Sequence, residues 1–89
     1  MAPAVRMKIL ATPPIALSTL LVGQTAHLYE ARLDAGAVSL LRALGLSERR
    51  QFRLCKAGEP CIVQVGTTRI GVSKAVASQI FVVPGQSAV

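Results

Sequence analysis

From Thr25 to Glu30 polar and apolar residues alternate, with Ala26 and Leu28 on one face and Thr25, His27 and Tyr29 on the other. Alternation with period two predicts a half-buried strand. Beyond Asp34 the period lengthens. Ala37, Val38, Leu40, Leu41 and Leu44 fall on one arc at about 100° per residue, while Ser39 and Arg42 face away, which predicts an amphipathic helix. Asp34 suits its N-cap, and Leu33 can pack on Val38 as a hydrophobic staple. Gly45 can take the left-handed position past the end, and Leu46 can fold back to close it. Leu41 and Leu44, at the centre of the arc, are expected in the core; Leu40, at its edge, is expected to be partly exposed.

After Gly45 the period returns to two. Phe52 and Leu54 alternate with Arg53 and Cys55, which predicts a second strand. Ala57-Gly58-Glu59-Pro60 reads as a turn, Cys61 to Val65 as a third strand, Gly66-Thr67 as a turn and Thr68 to Val72 as a fourth, with Ile70 and Val72 inward. Ser73 caps a short helical turn through Gln79, Ile80 to Val83 forms a closing strand, and Pro84-Gly85 ends it. Upstream, Leu17 to Leu21 suits one helical turn with Ser18 as its N-cap, followed by a Gly23-Gln24 turn. Residues 1–15 read as an N-terminal arm ending in a proline break, 16–84 as the domain, and 85–89 as a loose tail. The order strand, helix, three-strand meander, helical turn, strand predicts a mainly β fold. It fits a five-stranded SH3-like barrel with one helix and short helical turns.

Length and charge narrow what such a barrel can do. At 89 residues there is room for one domain, and an apolar fraction of 52% argues against disorder. Ten Lys and Arg against four acids give a net charge of +6, a field that favours anionic partners. The only aromatic side chains are Tyr29, Phe52 and Phe81. That shortage of stacking surface weighs against a single-stranded nucleic-acid binder. Ile9 to Ala26 carries no charge and follows Arg6 and Lys8, as in a signal peptide. Pro13-Pro14 interrupts it, so a soluble arm and a cytoplasmic chain are expected.

Catalysis finds no carrier in this sequence. Nucleophilic chemistry needs a base beside a Ser or Cys, and His27 is the only imidazole, on the polar face of a strand. No two carboxylates group together, and the phosphate-binding glycine motifs are missing. The protein is expected not to be an enzyme and to hold no cofactor. His27, Cys55 and Cys61 are possible soft metal ligands. If Phe52 and Leu54 face the core with Cys61, however, Cys61 points inward and Cys55 outward. A bulge near the turn would overturn that alternation.

Taken in order, several short pieces resemble the FeoA family of small cytosolic proteins of bacterial ferrous iron uptake. They are Leu17-Ser18-x-Leu20 with Gly23-Gln24, the helix end Leu41-x-x-Leu44-Gly45-Leu46, Gly58-Glu59-Pro60, and Thr68-x-Ile70-x-Val72-Ser73 with Ala77-x-x-Ile80-x-Val82. The resemblance spans Leu17 to Val83. It implies an SH3-like barrel that acts with FeoB, a permease with a cytosolic GTP-binding domain, and that itself neither hydrolyses GTP nor transports iron. Where the family commonly has a Pro-Gly turn after Leu-Gly-Leu, this chain has Glu48-Arg49. A similar barrel ends some iron-dependent repressors, but this chain has no room for their DNA-binding helices.

Arg49, Arg50, Arg53 and Lys56 cluster close to the helix end that carries Arg42. The plain reading is a solvated strand edge, where cations discourage edge-to-edge pairing. The functional reading is a basic face that meets an acidic partner or an anionic leaflet. Leu40 and Ile62 are candidate exposed apolar residues; contiguous with Arg42, they would make a docking patch. The candidate partner surface is therefore Leu40, Arg42, Arg49, Arg50 and Arg53, with the iron permease as partner and self-association left open; neither nucleic acid nor direct membrane insertion is expected. A nucleic-acid-binding barrel and a metal sensor or carrier using His27, Cys55 and Cys61 are the alternatives.

Overall fold

A computed structural model describes residues 13–85; residues 1–12 of the expected arm and 86–89 of the expected tail lie outside these described residues. Six strands form one antiparallel sheet: β1 (Ile15–Ala16), β2 (Thr25–Ala31), β3 (Gln51–Lys56), β4 (Cys61–Val65), β5 (Thr68–Val72) and β6 (Ile80–Pro84). Their order across the sheet is β1-β6-β2-β3-β4-β5. Helix α1 (Ala35–Ala43) follows β2, and the short α2 (Lys74–Ala77) follows β5. The mainly β, SH3-like architecture expected from the alternation is the one observed. Among the described residues no helix is long and apolar enough to cross a membrane.

The core is built from one face of that sheet. Ala26 and Leu28, Phe52 and Leu54, Cys61, Val63 and Val65, Ile70, and Ile80 and Val82 are all buried, and they pack as one cluster with Leu17, Leu20, Leu41, Leu46 and Ala77. Side chains from a single face can meet in one cluster only if the sheet curls around them. Two bulges help it bend. The β2–β6 ladder shifts between Leu28 and Glu30, and the β3–β4 ladder between Leu54 and Lys56.

Helix α1 is set at both ends as its sequence predicts. The Asp34 carboxylate accepts the Ala37 N–H at 2.8 Å. At the other end Gly45, with φ 109°, donates to the Arg42 carbonyl, and Leu46 donates back to Leu41, both at 3.0 Å. Ser73 likewise caps α2 by accepting the Val76 N–H at 3.1 Å.

The structure differs from expectation in four places. A sixth strand, Ile15–Ala16, pairs with β6 through Ile15–Val82 and Ala16–Phe81. Two residues are too few to show alternation, so this pairing has no sequence signal. Because β1 runs straight into a 3-10 turn at Leu17–Thr19, the capping position falls on Ala16 rather than Ser18. There Thr19 Oγ1 donates to the Ala16 carbonyl at 2.7 Å. Leu44, expected in the core, is 38% exposed, because the apolar arc of α1 is wider than the strip the sheet covers. Only Leu41 on that helix is sealed. Ile62, expected to be exposed, is half-buried where β4 pairs with both β3 and β5.

Candidate functional site

Two hollows flank the curled sheet, and their linings are opposite in chemistry. The first, about 280 Å³, lies between α1 and the segment from β5 into α2. Leu33, Ala37, Leu40, Leu41 and Leu44 form one wall, and Ile70, Gly71, Val72, Ser73 and Val76 the other. It exists because α1 leans on the core through Leu41 alone, leaving Leu40 60% exposed beside Leu44. Leu40 and Leu44 are four residues apart and so project from the same side of the helix. Strand β5 ends the sheet, so this groove also runs beside an edge.

The second hollow, about 250 Å³, lies on the outer face of the sheet and is lined by Thr25, Gln51, Phe52, Arg53, Gln64 and Gly66. Its floor is a cross-strand row. Thr25 pairs with Arg53, Arg53 with Gln64, and Gln64 with Arg69. Gln64 Oε1 accepts from Arg69 Nε at 3.2 Å, and Gln64 Nε2 donates to the Gly66 carbonyl at 2.9 Å.

The residues marked by the sequence as one docking patch fall in different surroundings. Leu40 lines the apolar groove, whereas Arg53 lines the polar hollow. Arg42 is not a free cation. Its guanidinium grips the Glu48 carboxylate with two hydrogen bonds, at 2.8 and 3.0 Å. That pairing holds the Glu48 carboxyl down to about 2 and raises the Arg42 pKa, mainly through the side-chain hydrogen bond. Glu48 thereby ties the chain after Leu46 back to the helix. Arg49 and Lys56 are exposed. Arg50 is exposed too, but its guanidinium reaches over Gly66, with Nη2 only 2.9 Å from where a β-carbon there would sit.

The three possible metal ligands are not brought together. Cys61 is buried in the core, and that burial pushes its thiol pKa up. Cys55 sits half-buried at the β3 bulge on the outer face, its sulfur 3.8 Å from Gln64 Oε1. The bulge therefore leaves the expected inward and outward assignment intact. His27 pairs with Gln51 and Val83 on β2, so Cys55 lies four residues along β3 from its neighbour, about 13 Å away. Among the described residues no three His, Cys, Asp or Glu side chains gather as a metal site would require.

Sequence reasoning found Leu40 but missed the rest of the groove. Leu44 is expected in the core but lines the groove, and Val72 and Val76, both half-buried against the core, contribute their remaining exposed surface to its other wall. The available signal was the surplus of apolar positions on α1, more than one buried stripe can use.

Comparison with known proteins bears on both hollows through the fold that carries them. The structure resembles a crystal structure described as iron uptake regulatory protein (FeoA), with a TM-score of 0.71 at 20% identity, covering 82% of this chain and 99% of that one. At that identity the likeness speaks for the fold alone. No curated protein matches the sequence. The family model described as FeoA domain, by contrast, matches residues 15–84, from the first residue of β1 to the last of β6. On that match over most of its length, the chain belongs to the FeoA family.

Proposed function

We propose that this protein is a non-catalytic accessory component of bacterial ferrous iron uptake. In this reading it works in the cytoplasm by docking on the cytosolic part of a GTP-binding iron permease. Family membership supports the connection to ferrous iron uptake. The docking mode rests on one observation, the apolar groove between α1 and the β5–α2 segment. A contiguous apolar concavity on a small basic domain is costly to leave facing water, and its natural use is to receive apolar side chains from a partner. Leu40, more than half exposed at its rim, is the anchor contact. Arg49, Arg50 and Arg53 then serve to steer an acidic partner surface toward the domain. Arg42 acts differently, by fixing the helix end through Glu48.

Co-purification of the chain with the cytosolic region of the permease tests this reading. Leu40→Asp places a charge in the groove at an exposed position, so the fold is retained while the complex weakens by about tenfold or more. An undiminished complex with a folded Leu40→Asp protein overturns the choice of surface.

A further inference from the structure

All four acidic side chains of the sequence are engaged within the fold. Glu30 lies 3.7 Å from Arg32, and Glu48 is bound to Arg42 at 2.8 Å. Asp34 accepts the Ala37 N–H at 2.8 Å, and Glu59 accepts the Lys74 N–H at 2.7 Å. None reaches the outer face of β3, β4 and β5. Arg50, Arg53 and Arg69 stand there with no carboxylate partner among the described residues. Such an unbalanced cluster is by itself ordinary surface. Here it is also organised.

Arg53 and Arg69 flank Gln64 in the cross-strand row, their backbones two strands and so about 10 Å apart. The Gln64 side-chain oxygen accepts from Arg69 Nε, and the two terminal nitrogens of Arg69 have no hydrogen-bond partner among the described residues. Arg50 is held from the other side. Its guanidinium occupies a slot over the β4–β5 turn, where Gly66 has φ 61° and no β-carbon. Its other terminal nitrogen lies 3.9 Å from the β-carbon position of Gly45, an ordinary contact, so it is the missing β-carbon of Gly66 that leaves room for this side chain. Arg53 lines the polar hollow of about 250 Å³, while Arg69 is bound to Gln64 of its lining and Arg50 reaches over Gly66 at its edge.

We infer that this outer-face hollow is a binding site for a compact, multiply charged oxyanion of the phosphate type. Guanidinium groups present paired N–H donors that match phosphate oxygens, and Thr25, Gln51 and Gln64 supply neutral hydrogen-bonding groups on the walls. The floor is mid-sheet, where ladder pairing already occupies the backbone of β3 and β4, so an extended peptide gains no main-chain bonds there. A nucleic-acid strand finds little to stack on here: Phe52 is buried, Phe81 lies under Arg32 at 4.6 Å from the ring centre, and the exposed Tyr29 is four residues along β2 from Thr25, about 13 Å from the hollow. The hollow shares no lining residue with the docking groove, although Arg50 and Arg53 also belong to the face proposed to steer the partner.

The test is an amide NMR titration of the full chain with inorganic pyrophosphate at low salt. Parallel sedimentation uses vesicles of phosphatidylcholine and phosphatidylglycerol at three to one. Saturable shifts confined to the amides of Gln51 to Arg53, Gln64 to Gly66 and Arg69 support the site. Affinity then falls about tenfold or more in the exposed double variant Arg53→Gln, Arg69→Gln. Gly66→Ala weakens binding without removing a charge, because its β-carbon displaces Arg50. Vesicle binding that the double variant abolishes identifies a lipid headgroup as the source of the phosphate; pyrophosphate binding without vesicle binding identifies a soluble one. Non-saturating shifts spread over every basic residue, including Arg32 and Lys74, overturn the inference. So does equal affinity in wild type and the double variant.

Discussion

The apolar groove and the polar hollow are nearly the same size, about 280 and 250 Å³, and sit on one small domain, yet they arise in opposite ways. The groove is a packing deficit. A helix with more apolar residues than the sheet can cover leaves Leu40 and Leu44 facing Val72 and Val76 across a gap. The hollow is a consequence of strand alternation. The same pleat that sends Phe52, Val63 and Val65 inward sends Arg53 and Gln64 outward, in register across neighbouring strands. One surface therefore depends on how a helix is held, and the other on the sheet itself. Changes to core, helix and turn should separate them.

The largest effect is expected where the two meet the same scaffold. Phe52 is 2% exposed and also lines the polar hollow from beneath. Phe52→Ala should cost about 3–5 kcal/mol in denaturant unfolding and weaken both surfaces together. A stable Phe52→Ala protein with one surface intact would break the claim of a shared scaffold.

Next comes the helix alone. Asp34→Ala removes the acceptor of the Ala37 N–H and should cost about 1 kcal/mol. It should raise hydrogen exchange in α1 while leaving exchange in β3 and β4 unchanged. Gly66→Ala should have a similar cost of about 1 kcal/mol, from φ 61° and the contact with Arg50, but confined to the other side of the molecule. Calorimetric unfolding measures the cost of each, and exchange locates it.

Substitutions on the groove wall should change stability less than these. Leu40 and Leu44 are exposed, so Leu40→Asp and Leu44→Asp should each stay within about 0.5 kcal/mol of wild type in unfolding. Their effect should appear in binding, where an apolar probe that reports the groove in wild type no longer responds. The smallest effect is expected from the solvent-facing Arg42–Glu48 tie. Its carboxyl titrates at about 2 against an ordinary 4.5, so the unfolded chain binds more protons between those values. The tie adds stability in full above about pH 4.5 and loses it as the pH falls toward 2. The difference in melting temperature between wild type and Glu48→Gln should shrink over that range.

How much of this was legible in the sequence differs between the two regions for a physical reason. Strands β2 to β5 could be read because alternation is local: each inward Phe52 or Val63 is announced by its polar neighbours. The caps Asp34, Ser73 and Gly45 were legible for the same reason, since each acts within a few residues. The groove was not, because Leu44 becomes a surface residue only through the distance between α1 and β5, which no local pattern encodes. Charge misled in a similar way. Arg42 looked like part of a free basic cluster, but Glu48, six residues on, folds back to bind it. The register that places Arg53, Gln64 and Arg69 in one row depends on two hairpins being paired at once.

The account rests most heavily on the groove beside α1 as the place where a partner sits. Amide shift mapping of the labelled chain with the unlabelled cytosolic region of the permease examines this residue by residue. The expected result is a continuous set of perturbed amides at Ala37, Leu40, Leu41, Leu44, Val72 and Val76. Saturable binding that leaves those six amides unmoved would contradict it.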